Sequence, residues 1–196
     1  CLDMSCLWPL LSCALSKSRS QQQQDLLLLP TLLRALGPGV PGTFVELGAL
    51  DGEHLSNTFM LEKCFNWTGL LIEANPKSAE KLFASARGRS YKIHSAVCGS
   101  GPDGENGSVQ FAASGPRETA HQIFDKSVVT RRQPRGADAQ ALESTAVPCK
   151  PLKKLMVDAG LSKGATFLSL DVEGAEELVL RTVDPAAFEF LMVETE

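Results

Sequence analysis

The period of the apolar residues changes repeatedly along the chain, and each change marks an element. Residues 25–36 are Leu-rich and close on Gly37-Pro38-Gly39, which predicts a helix and its stop, with Pro30 expected to kink or divide it. Thr43 to Leu47 is a short apolar run and predicts a buried strand; Leu55 to Phe65 carries apolar residues on one helical face; Gly69 to Glu73 predicts a second buried strand. Asn75 followed by Pro76 is a helix opening, an N-cap side chain and then proline at the first helical position. Ala79, Leu82, Phe83 and Ala86 then recur at i, i+3, i+4 and i+7, one apolar stripe. A third strand fits Tyr91 to Cys98, and Val109 to Ala112 a short extra one. Ser114 to Ser144, rich in Gly, Pro, Arg, Ala and Gln, holds no sustained period and is expected to be a long mobile insertion. Leu152, Leu155, Met156 and Ala159 predict a helix ended by Gly160; strand Thr166 to Leu170, helix Ala175 to Val183, a break at Pro185 and strand Phe188 to Val193 complete the pattern.

Strand and helix alternate throughout, so the fold class expected is α/β, a mainly parallel sheet with helices on both faces. A chain of 196 residues with 43% hydrophobic content suits one domain with a real core. That domain is expected over residues 25–196. Residues 1–24 are expected to be a poorly ordered leader or linker: Met4 to Leu15 is apolar but too short to span a bilayer and contains Pro9, and the stretch after it is polar with a four-glutamine run. The chain starts on Cys1 and stops at Glu196 beside a strand, which reads as a fragment. A membrane anchor could lie only in a part preceding this one.

A formal net charge of −4 argues against a general nucleic-acid binder, which needs basic surface to neutralise phosphates. The six cysteines form no CxxC pair and do not cluster with His54, His94 or His121, so no metal site is expected. An even cysteine count allows disulfides. Cys98 and Cys149 flank the insertion and can be bridged if their strands are neighbours. Asn66-Trp67-Thr68 and Asn106-Gly107-Ser108 fit the glycosylation sequon. Cytoplasm and secretory lumen both stay open. Arg131, Arg132 and Arg135 fall in the insertion and read as a solvated loop, and Trp67 reads as a packing residue.

The chemistry concentrates in two turns. In FVELGALDGEHLSN, Phe44 to Asn57, a strand runs into a turn where Gly48 and Gly52 allow close backbone approach while Glu46 and Asp51 place negative charge beside it. That charge suits a phosphate poorly; a P-loop is excluded by the missing Gly-Lys-Ser/Thr, and the dinucleotide fingerprint by the missing third glycine. A ligand with a cationic end and a ribose fits better, and S-adenosylmethionine has a sulfonium, an ammonium and a ribose. Glu73, at the end of the second strand, is placed to accept from both ribose hydroxyls. In LSLDVEGAEE, Leu168 to Glu177, Asp171 and Glu173 leave a strand on the same side. They can face a substrate, or serve simply as helix-start acids. His54 is another candidate base, although a solitary His after a loop is more often a surface residue.

Taken together, VELGALDG, SNTFMLEK, the W-x-G-L-L-I-E-A-N-P of Trp67 to Pro76, the SAV of Ser95 to Val97 and SLDVEGAE resemble the FkbM-type S-adenosylmethionine-dependent methyltransferases. SQQQQD, Ser20 to Asp25, is similar to a segment preceding the domain in eukaryotic members. The resemblance implies a class I, Rossmann-like methyltransferase fold from which the C-terminal strands after the fifth are missing. It implies S-adenosylmethionine as cofactor and methyl transfer to a hydroxyl of a sugar or small natural product. Carried over by motif, Glu46, Gly48, Gly52 and Glu73 bind cofactor, Ser95 and Ala96 lie near its adenine, and the catalytic acids are Asp171 and Glu173. Eukaryotic Star-like trafficking proteins carry a similar domain in the secretory pathway, so a cargo-export role without catalysis is the alternative.

Overall fold

The computed structural model describes residues 4–37, 39–99, 107–114, 119–123, 144–172 and 174–194. Its strands are β1 (Thr43–Leu47), β2 (Thr68–Glu73), β3 (Ser90–His94), β4 (Ala96–Val97), β5 (Gly107–Ser114), β6 (Thr119–Ile123), β7 (Ser144–Lys150), β8 (Ala165–Leu170) and β9 (Phe188–Val193). Its helices are α1 (Met4–Lys17), α2 (Gln24–Leu36), α3 (Phe59–Phe65), α4 (Pro76–Ala84), α5 (Leu152–Asp158) and α6 (Glu176–Leu180).

Alternation along each strand builds the main sheet's two cores. Phe44, Leu71 and Phe167 point to one face, against Ala14 of α1, Leu29 and Leu32 of α2, and Met60, Leu61 and Phe65 of α3. Val45, Leu47, Leu70, Ile72, Leu168 and Leu170 point to the other, against Leu152, Leu155 and Met156 of α5 and Val179 of α6. Strands buried on both faces read as continuous apolar runs, and this is the signature of a parallel sheet. The order is β3-β2-β1-β8-β9, and every neighbouring pair is parallel. This is the mainly parallel α/β sheet expected from the alternation, in the Rossmann-like form that the resemblance implies. The chain winds outward from β1 to β3, then crosses back to β8 and β9, so strand order reverses between β1 and β8. Ligands of such sheets bind beyond the carboxyl ends at that reversal.

The second sheet, in the order β4-β7-β5-β6, departs from the sequence reading. Tyr91 to Cys98 is two strands. The amide of Ser95 makes a last bond to Glu73 O at 3.0 Å, after which Ala96 pairs with Cys149 of β7. Cys98 and Cys149 are bridged there, with Cα atoms 5.6 Å apart. Of the expected insertion, β6 is a strand; residues 115–118 and 124–143, with Arg131, Arg132 and Arg135, lie outside the described residues.

Four further expectations need correction. Residues 4–24, expected to be a poorly ordered leader, hold a helix and a tied segment. Ala14 is buried in the core, Cys13 is bridged to Cys64 of α3, and the Asp25 carboxylate accepts from Ser18 Oγ, Ser20 Oγ and the Arg19 amide. Pro30 does not divide α2, which runs through it on an exposed face. In α4 the buried stripe is Ser78, Ala79 and Leu82. Phe83 is exposed and Ala86 falls beyond the helix end. Helix α3 starts at Phe59 rather than Leu55, because Ser56, Asn57 and Thr58 are drawn into a buried polar network before the helix begins.

Candidate active site

The loop after β1 covers the carboxyl end of the sheet, and Glu46 organises it from below. Glu46 shares the face of Phe44, 3% exposed, and its carboxylate accepts from Ser56 Oγ at 2.9 Å, Asn57 N at 2.7 Å and Thr58 Oγ1 at 2.6 Å. Ser56 Oγ in turn accepts from the amide of Phe59, the first residue of α3. Arg87, fully buried, closes the network: Nε donates to Glu62 at 2.8 Å, Nη1 to Gly52 O at 2.6 Å and Ser56 Oγ at 3.0 Å, and Nη2 to Thr58 Oγ1 at 2.8 Å. Burial pushes the Glu62 carboxyl up, but hydrogen bonds from Ser90, Arg87 and the Arg89 amide, with the Arg87 charge, hold it below its ordinary value.

The expected cofactor residues therefore divide. Glu46 braces the loop from within the fold. Gly52 does the same: its φ is +81°, and an added Cβ would stand 2.7 Å from Leu82 Cδ1, so this glycine lets α4 and Arg87 close in. Asp51 turns inward on its own loop, Oδ1 accepting from Glu53 N and His54 N, and His54 is exposed on the loop surface. Ser95 and Ala96 are buried where the two sheets join, Ser95 Oγ lying 2.7 Å from Ala96 O and 3.1 Å from Pro148 O.

Gly48, Glu73 and Asp171 reach the carboxyl edge. Gly48 is exposed, with φ +75°, and a Cβ there would stand 1.9 Å from Asp171 O. Only glycine lets β1 and β8 run this close at the reversal. Glu73 ends β2, its Oε2 accepting from Leu50 N at 2.7 Å and its Oε1 from Asn75 N at 2.6 Å. Asp171 follows β8, half-buried, its amide donating to Leu47 O at 3.3 Å. With β1 between them, the backbones of Glu73 and Asp171 are two strand spacings apart, roughly 10 Å. Glu173 lies outside the described residues.

A model of the methyltransferase FkbM domain matches residues 46–196. The chain belongs to the FkbM methyltransferase family. No curated protein and no solved structure matches it. The matched FkbM domain begins at Glu46, two residues before the glycine of the reversal, and includes both turns described above.

Three further residues shape the loops at the carboxyl edge, two of them without a sequence signal of their own. Glu176, buried in the first turn of α6, accepts from Val172 N and Gly174 N and so shapes the loop that follows Asp171. Asn57 donates through Nδ2 to Ser169 Oγ at 3.0 Å and Glu194 Oε1 at 3.2 Å, while its buried Oδ1 has no partner among the described residues. Glu194, just past β9, also accepts from Gln24 Nε2 at 3.3 Å, which brings the glutamine run to the carboxyl edge. An acid three residues after Glu173 was a visible hint for Glu176, since first-turn acids bond backwards to loop amides. Nothing comparable marked Asn57 or Glu194. A surface pocket lined by Lys153, Met156, Gly164, Thr182 and Ala187 sits at the opposite, amino end of β8 and β9 and is not the site the topology marks.

Proposed function

We propose that the protein binds S-adenosylmethionine over the carboxyl ends of β1 and β2 and transfers its methyl group to a hydroxyl oxygen of a small-molecule or glycan acceptor. The observation that carries the reading is Glu73, an acceptor-only side chain oriented by the amides of Leu50 and Asn75 beside the exposed backbone of Gly48. A ribose diol offers two donors to such a carboxylate, and an exposed glycine admits a ligand against the backbone. Glu46, within the fold, holds the loop that presents Leu50. When bound, the cofactor supplies an electrophilic methyl carbon on a sulfonium. The chain's part is to align the acceptor oxygen behind that carbon and to take the hydroxyl proton. Asp171, half-buried where the reversal opens, is the proposed base, with Glu173 as the second acid and Glu176 bracing the loop between them.

The test is transfer of labelled methyl from S-adenosylmethionine to a panel of sugars and small hydroxyl compounds by the full-length protein. Labelled ether product is expected, and Asp171→Asn should lower its rate about 10²–10⁴-fold while cofactor affinity holds. A protein that neither binds the cofactor nor labels any acceptor would fit the Star-like cargo role instead.

A further inference from the structure

We infer that Asn66 carries an N-linked glycan, added in an oxidising secretory compartment. The sequon Asn66-Trp67-Thr68 spans the turn from α3 into β2, where side chains alternate. Asn66 and Thr68 face solvent, while Trp67 is 3% exposed and lies against Gly42. The acceptor asparagine and the threonine that defines the sequon are thus both outward, as a surface glycan requires. Asn66 caps α3 with φ +59°, a left-handed conformation that asparagine tolerates, and its amide nitrogen is satisfied by Leu61 O. The backbone is fixed without the side-chain amide, so a sugar on Nδ2 breaks no hydrogen bond among the described residues.

Two disulfides indicate the compartment independently. Cys64, two residues before Asn66, is bridged to Cys13 with Cα atoms 5.7 Å apart, and Cys98 is bridged to Cys149. Such paired cysteines persist where thiols are oxidised, which is where N-glycosylation also occurs. The position suits a working enzyme as well. Asn66 precedes the amino end of β2, whereas Glu73 closes its carboxyl end, five residue steps or about 16 Å along the strand from Thr68. A glycan there stands clear of the proposed methyl-transfer site. The second sequon begins at Asn106, outside the described residues.

The test uses the full-length protein isolated from its own cells. Treatment with peptide N-glycosidase should lower its apparent mass and convert Asn66 to aspartate in the peptide that contains it. Asn66→Gly, which keeps the left-handed turn, and Thr68→Ala should each abolish that shift; Thr68→Ser should retain it. Non-reducing peptide mapping should recover Cys13 joined to Cys64. An unmodified Asn66 in wild type, or a shift that survives both variants and disappears only with Asn106→Gln, overturns the inference.

Discussion

The carbonyl oxygen of Asp171 lies 1.9 Å from the point where a Cβ on Gly48 would stand. The first strand after the reversal and the first strand of the sheet therefore meet at a position that admits no side chain. A left-handed φ at the same residue adds a second objection to substitution. Gly48→Ala should cost about 2–5 kcal/mol, combining left-handed strain with overpacking against backbone. Gly88→Ala, with nothing within 4 Å of its Cβ, should stay within about 0.5 kcal/mol of wild type. Denaturant midpoints of the two variants check the contrast, and equal midpoints would remove the steric argument.

Arg87 is the cation of a wholly buried network that includes Glu62 and lies 3.8 Å from Glu46. Arg87→Met keeps volume but strands two buried acids, and the expected loss is about 3–5 kcal/mol. Thermal melts should show it as a large drop. A change under 1 kcal/mol would mean the acids find other partners.

The same network sets a pH dependence. The folded-state value of Glu62 is depressed below its ordinary 4.5, so its contribution is fully present above that value and fades as the pH falls through the lower, folded one. Between neutral pH and about pH 5 the Glu62 contribution is flat. Glu62→Gln should flatten the acid limb of the stability curve relative to wild type. An unchanged limb would assign the acid sensitivity elsewhere.

How much of this was legible beforehand depended on the kind of interaction. The central strands of the main sheet stood out because both faces are covered and the runs are mainly apolar, as in ATFLSL of β8, where all six are buried. The Asn75-Pro76 helix opening was equally plain, since a cap acts between near neighbours, and Asn75 Oδ1 accepts from Lys77 N as the pattern requires. Arg87 and Glu62, or Asn57 and Glu194, meet only after folding. The latter pair are 137 positions apart, and no local period records them. The partners of Glu46 were hidden for the same reason: its acidity was visible, but Ser56, Asn57 and Thr58 reach it from the loop after β1 only once the chain has folded. Helix α1 was missed because its anchor, the Cys13 to Cys64 bridge, joins residues 51 positions apart.

That bridge should matter for stability. A bridge is typically worth about 2–4 kcal/mol, and the chain-entropy account puts a loop of this length near the upper end, at about 4 kcal/mol. Cys13→Ser with Cys64→Ser should lower the melting temperature by several degrees, and reductant should do the same to wild type. Melts insensitive to both would show that α1 is held by packing alone.

The proposed position of the cofactor is over the ends of β1 and β2, held by Glu73. Isothermal calorimetry of S-adenosylmethionine with the full-length protein and with Glu73→Ala, both confirmed folded by circular dichroism, tests it most directly. Hydrogen bonds to a charged acceptor contribute about 1.5–3 kcal/mol each, so the variant should bind roughly tenfold to several hundredfold more weakly. Equal affinity in the two proteins would remove Glu73 from the cofactor site, and no binding to wild type would rule the site out.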